Sequence, residues 1–268
     1  VLAFALALRL WGIGYGLPWL FYFHDEPQIV LRALRLGTGD LNPHFFIWPG
    51  TLLLYLAFIA YAGLFLVGRA LGWWAGQEGF AAAYFADPTA FYLLARLESV
   101  AFGVWTVWLA FGLGRAGWGA PVGFAAALGL AVNALHAHYA HLAHPVTAMT
   151  AFVALGLWAA LRIATDGTAR HLVVGALATG LGIACQYHAA LLAVPIGIAV
   201  LYRALKRAET AVVKEGERSA ALVLNLIGER YLHSDEPLSW PGLELLDSGD
   251  GYYLYENKYC QEFYSRLP

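Results

Sequence analysis

Six runs of this chain are long and apolar enough to sit in hydrocarbon, and that property removes most folds from consideration. They cover residues 1–23, 45–67, 91–114, 120–137, 146–163 and 172–205, and the charges up to Leu205 gather at their ends. About 18 or more apolar residues span a hydrocarbon core of roughly 30 Å. In lipid the backbone must satisfy its own hydrogen bonds, so such runs are read as helices. Composition agrees. The chain is 60% hydrophobic and 13% charged, against roughly 45–50% and about 25% in soluble domains. A net charge of −2 by itself suggests no nucleic-acid partner. Cys185 and Cys260 form no motif and leave the redox compartment open.

The expected fold is all-α: a polytopic transmembrane bundle of about six hydrophobic helices, with interfacial outer-loop helices and a small α+β soluble tail. The first run, broken near residues 12–18, is read as a retained helix. The missing initiator Met is consistent with a piece of a longer protein. Residues 28–36 place Ile29, Val30, Ala33, Leu34 and Leu36 mostly on one face, which suits a helix lying in the interface. The last run is too long for one crossing. Gln186-Tyr187-His188 divides it into helices over 171–186 and 189–205. Arg115, then Arg162 with Arg170, then Arg203, Lys206 and Arg207 fall in turns or after the last helix, and short basic loops stay cytoplasmic. These sites share one side only if 45–67 does not cross but lies along the outer interface. Residues 24–90, the 136–145 turn and the 186–188 break then face the outside together. The organisation expected is a membrane core over 1–207, with its outer loop at 24–90, and a tail over 208–268. Residues 212–230 read as a helix and 243–255 as strands around a turn at 247–251. Parity makes the tail cytoplasmic, unless the chain lacks helices before it, in which case the tail is outside.

His24-Asp25-Glu26-Pro27 carries the strongest chemical signal, because ionisable groups close to membrane depth tend to be functional. A solvated loop pair is the alternative. Arg96 suits bidentate contact with a phosphate, or simply snorkels towards headgroups. His136, His138, His141 and His144 cluster in one turn. A helix through 138, 141 and 144 would bring three imidazoles near one face, able to take a phosphate, a metal or only the headgroup region. Gln186 is either a ligand or a satisfied helix break. A second acid-proline piece, residues 233–237, is read as coincidence.

The acid pair, residues 39–49 (Gly-Asp-Leu-Asn-Pro-His-Phe-Phe-Ile-Trp-Pro), Ala95-Arg96-Leu97, Gly103-Val104-Trp105-Thr106-Val107, Ala137-His138-Tyr139-Ala140 before 146–150, and 180–192 with Gln186-Tyr187 occur in an order that resembles the GT-C integral-membrane glycosyltransferases. The resemblance is to the bacterial and archaeal relatives of protein O-mannosyltransferases and of the aminoarabinose transferase of lipid A (glycosyltransferase family 39), over about residues 1–205. It implies a polyprenyl-phosphate sugar donor, an unidentified acceptor hydroxyl at the outer face of the plasma (inner) membrane, and inversion at the anomeric carbon. Asp25 becomes the general base. Glu26 positions the acceptor or helps hold a divalent cation. Arg96, His138, His141, His144, Gln186, Tyr187 and His188 become contacts for phosphate or substrate. Two positions depart from the family: relatives often carry an acid near Val146, and many have Lys-Tyr where this chain has Gln186-Tyr187. The rival readings are a non-catalytic membrane subunit or fragment of such an enzyme and, ranked last, a transporter.

Overall fold

A computed structural model describes residues 1–19, 23–47 and 50–226, and in the tail 231–234, 237–239, 242–249 and 252–258. The helices run α1 (Leu2–Leu10), α2 (Glu26–Leu36), α3 (Thr51–Ala70), α4 (Gln77–Ala86), α5 (Thr89–Trp118), α6 (Ala120–Ala131), α7 (Ala134–Ala140), α8 (Val146–Thr165), α9 (Ala169–Cys185) and α10 (Ala193–Leu226). A 3₁₀ turn over Tyr187–Leu192 joins the last two. The chain divides into Val1–Leu201 and Tyr202–Pro268.

Among the described residues, four helical segments are long and apolar enough to cross a membrane, or five if the bent pair α6–α7 is one span. The expected six shrink for local reasons. Among its described residues the first run is helical over nine only, because Gly12, Gly14 and Gly16 follow, with Gly12 and Gly16 at φ +78° and +79°, a conformation that side-chain-bearing residues resist. The run at 120–137 bends by 61° where the Asn133 side chain caps α7 by accepting from His136 N–H. The division at Gln186 falls where it was expected, with Gln186 extended at φ −153° between α9 and the 3₁₀ turn.

The helices of the bundle approach through small residues, as membrane helices do when lipid leaves little hydrophobic drive between them. A Cβ on Gly114 would lie 2.8 Å from Cα of Gly123, so α5 and α6 touch backbone to backbone. Gly182 faces Phe152 and Gly175 faces Ala159, which makes α8 and α9 antiparallel. Phe102 and Trp105 pack on Phe152, and Gly117 faces Leu161, so α5 and α8 run parallel. The start of α5, the start of α8 and the end of α9 therefore share one end of the bundle.

The helix α3 lies against that same end along its length. At its start, Gly50 N–H donates to Cys185 O (3.0 Å) and Thr51 Oγ1 to Ala184 O (3.0 Å). Ten residues on, the Tyr61 hydroxyl donates to Phe91 O at the first turn of α5 (3.0 Å). Beyond its end, Trp74 stacks edge-on with Phe80, and Phe80 with Phe91. Buried side chains of α2, α3, α5, α8 and α9 meet here in one core, including Ile29, Leu54, Tyr92, Ala148 and Cys185.

In the tail, α10 continues to Leu226, and residues 227–230 of the expected helix lie outside the described residues. Strands β1 (Tyr231–Ser234), β2 (Leu243–Gly249) and β3 (Tyr252–Asn257) form an antiparallel sheet in the order β1-β3-β2. This is the expected α+β character. Of the expected turn at 247–251, residues 247–249 belong to β2, while 250–251 and the acids of the 233–237 piece lie outside the described residues.

Candidate active site

The shared end of the bundle carries the acid pair. Pro27 sits in the first turn of α2, where its missing N–H costs no hydrogen bond, and Asp25 is the N-cap residue with no side-chain capping bond. The two neighbouring carboxylates then diverge. Glu26 turns inward and is 3% exposed; Asp25 keeps 61% of its side chain exposed.

Glu26 meets Arg96, itself 2% exposed, in a two-bond fork. Arg96 Nε donates to Oε1 (2.7 Å) and Nη2 to Oε2 (2.6 Å). Oε1 also accepts from Ala143 N–H (2.8 Å). Arg96 Nη1 donates to the carbonyls of Ile13 (2.7 Å) and Tyr15 (2.9 Å). One ion pair thus ties together the loop after α1, the start of α2, the second turn of α5 and the turn before α8. Arg96 has five N–H donors, and these bonds use four.

Asp25 faces His144, with Oδ2 at 3.6 Å from Nε2, longer than a hydrogen bond. His144 Nδ1 accepts from Val146 N–H (3.3 Å), so the neutral ring carries its proton on Nε2, towards Asp25. Burial pushes the His144 imidazole below its ordinary pKa, although Asp25 and Glu26 pull it up. His141 is also pushed down, chiefly by burial and also by His138, Arg9 and Arg96, while its bond to Leu8 O (3.2 Å) opposes the shift. Both rings are therefore neutral hydrogen-bonding groups at neutral pH.

The expected helix through the three histidines does not form. The helix α7 ends at Ala140, and His141–Pro145 is a turn, with His144 N–H donating to Leu142 O. Pro145 is the reason, since a residue before proline is pushed out of the helical region. His138 and His141 still meet Arg96, lining a cavity of 150 Å³ with Tyr15 and Phe23. His136 is drawn elsewhere: its Nδ1 accepts from Arg9 Nη2 (2.8 Å). Arg9 is fully buried and also donates to the carbonyls of Ala5, Leu130 and Ala131, clamping the bend between α6 and α7. A lone arginine inside an apolar run is the sequence signal for that clamp. The backbone partners of Glu26 and Arg96 at residues 13, 15 and 143 had none.

Gln186, Tyr187 and His188 hold a different part of the same end. The Tyr187 hydroxyl donates to Phe46 O (2.7 Å), the Gln186 carbonyl accepts from Ala189 N–H, and His188 is exposed. The Tyr187 bond, with those of Gly50 and Thr51, ties Phe46, Gly50 and Thr51 to the end of α9. Arg32 stacks on Phe45, 4.2 Å from the ring centre, and bonds Gln28.

These residues do not fit a divalent-cation site. Both Glu26 oxygens are spent on Arg96 and Ala143 N–H, and among the described residues no three His, Cys, Asp or Glu side chains converge.

A polytopic helical membrane protein with a buried carboxylate–guanidinium lock, an exposed carboxylate and neutral imidazoles at one end of its bundle is the class these observations define. Residues 90–227, just over half of the chain, match the family described as dolichyl-phosphate-mannose-protein mannosyltransferase, and the chain belongs to that family of GT-C glycosyltransferases. The match begins at α5 and ends with α10, so it includes Arg96 and the histidine turn, while Asp25 and Glu26 precede it. No curated protein and no solved structure matches the chain.

Proposed function

We propose that the chain transfers a sugar from a polyprenyl-phosphate donor to an acceptor hydroxyl at the outer face of the plasma (inner) membrane, with Asp25 as general base. The observation that carries this reading is the divergence of the two acids. One is locked in an ion pair that shapes the site, and its neighbour is left exposed beside a turn of neutral imidazoles. A base needs hydrogen-bond reach to the proton it removes, and Asp25 has the exposure to meet a substrate.

In the reaction, the acceptor O–H gives its proton to the Asp25 carboxylate as its oxygen bonds to the anomeric carbon. The bond from that carbon to the phosphate oxygen breaks on the opposite face, configuration inverts, and polyprenyl phosphate leaves. His138 and the remaining Arg96 N–H line the cavity that suits the departing phosphate as donors, and His141, whose one N–H is given to Leu8 O, completes its wall. Glu26 positions rather than reacts, because its oxygens are occupied.

In the same reading α3 lies along the membrane surface although it is long enough to cross, since its start and its middle bond to the Asp25 end of the bundle and Phe80, after it, packs on Phe91 there. The test is consumption of polyprenyl-phosphate mannose, and of its glucose and aminoarabinose counterparts, by purified protein with candidate peptide and lipid acceptors. Turnover lost in Asp25→Asn supports the proposal. Unchanged turnover in that variant removes Asp25 as base, and donor binding without turnover makes the chain a non-catalytic subunit.

A further inference from the structure

The ion pair that shapes the site leaves it without a net cation. Arg96 is neutralised by Glu26, whereas a departing phosphate is an anion in a poorly solvated place, where a fixed opposite charge acts most strongly. Arg9 is the unspent charge nearby. It is fully buried, and among the described residues it has no carboxylate partner. Its bonds go to the carbonyls of Ala5, Leu130 and Ala131 and to Nδ1 of His136. A ring nitrogen that accepts from a guanidinium carries no proton, so His136 is a neutral imidazole. The carbonyl end of α6 offers only about half an opposing charge. An uncancelled ion at membrane depth is costly, and such groups tend to be functional.

Arg9 stands beside the cavity that His138, His141 and Arg96 line. Leu8, its neighbour in sequence, holds His141 through its carbonyl (3.2 Å), and Gly12, three residues on, is part of the cavity wall. A Cβ on Gly103 would lie 3.0 Å from Arg9 Nε, and Gly103 follows Arg96 by seven residues, about 10 Å along α5. The charge reaches the wall. Burial does most to depress the His141 imidazole, and His138, Arg9 and Arg96 push it the same way, in that order. Glu98, the one acid of α5, lies on the far face of that helix from both Arg96 and Gly103. We propose that Arg9 is the remote cation of the site, drawing the donor's phosphate into the cavity and stabilising it as it leaves, without touching it. This rests on the reading that the cavity receives that phosphate. At roughly 10 Å and an effective dielectric of about 20, one unit charge changes an anion's affinity by about tenfold.

The test compares the affinity of the purified protein, in an uncharged detergent, for a polyprenyl phosphate and for the polyprenol of the same length. The ratio of the two isolates the charge, because a distorted site loses both ligands together. Wild type is expected to prefer the phosphate, and Arg9→Gln to cut that preference about tenfold with polyprenol affinity unchanged. His136→Asp and His136→Asn keep Arg9 and put an oxygen where Nδ1 now accepts; only the carboxylate neutralises the guanidinium. The Asp variant should therefore match Arg9→Gln, and the Asn variant the wild type. This pair decides the matter if Arg9→Gln misfolds. A wild-type ratio retained in folded Arg9→Gln, or equal ratios in the two His136 variants, overturns the proposal and leaves the donor reading in place. Equal affinities for the two ligands in wild type remove the phosphate from the cavity, and this proposal with it.

Discussion

Asp25 and Glu26 are adjacent in sequence, yet the fold gives them opposite tasks. Glu26→Gln leaves the buried Arg96 charge without its counterion, and breaking such a pair costs about 3–5 kcal/mol. Arg96→Lys keeps the charge but loses the fork and the bonds to Ile13 and Tyr15. Both variants should lower the midpoint of thermal unfolding in detergent, with Glu26→Gln the more damaging. Asp25→Asn, half-exposed and unpaired by a short bond, should leave that midpoint unchanged while cutting transfer by about 10²–10⁴-fold, the usual contribution of a general base.

His144 adds a pH dependence with a definite sign. Its folded imidazole is held below the ordinary value of about 6.5, so the unfolded chain binds the proton first. This contribution to stability is complete above about pH 6.5 and is lost as pH falls towards the folded value. His144→Asn should flatten the slope of unfolding midpoint against pH, measured by helical circular dichroism between about pH 7.5 and 5. His141, depressed for the same main reason, contributes a slope of the same sign. A slope unchanged in the variant would place the titration elsewhere.

At the scale of elements, α3 separates composition from placement. By length and apolarity it passes as a span, and only the basic turns at Arg115, Arg162 and Arg170 argued otherwise in the sequence. Its contacts with Ala184, Phe91 and, through Trp74, Phe80 give the surface reading a physical basis. A surface-lying α3 predicts that an impermeant maleimide labels Asp40→Cys and Leu71→Cys from one side of the membrane and Asp166→Cys from the other. Labelling of position 71 with position 166 would make α3 a crossing helix. What the sequence revealed about the elements follows physical scale. Runs of apolar residues and the Gln186 break are local signals, and they are visible. The shortening of α1 at Gly12 and Gly16 and the break at Asn133 are local too, but weaker than the apolar run around them. The acid pair and Arg96 could be picked out singly. That they join was hidden, because 70 residues separate Glu26 from Arg96 and the lock is completed by the backbone at 13, 15 and 143.

Across the whole molecule, α5 is the common wall: it packs on α1, α3, α6, α7 and α8 and carries Arg96 to the end where the loops converge. The family match runs from the start of α5 to the end of α10, so the bundle that supports this end is the family's own, and the sheet lies beyond it. The bonds described for the Glu26–Arg96 lock, the Asp25–His144 approach and α3 are made between residues before Leu201. Ending the chain after Leu226 should therefore remove β1–β3 without shifting the thermal midpoint of the helical signal or the binding of polyprenyl phosphate, measured side by side with the full chain in the same detergent. If binding falls while the midpoint holds, the sheet contributes to the donor site. If the midpoint itself falls, the bundle depends on the tail for its stability.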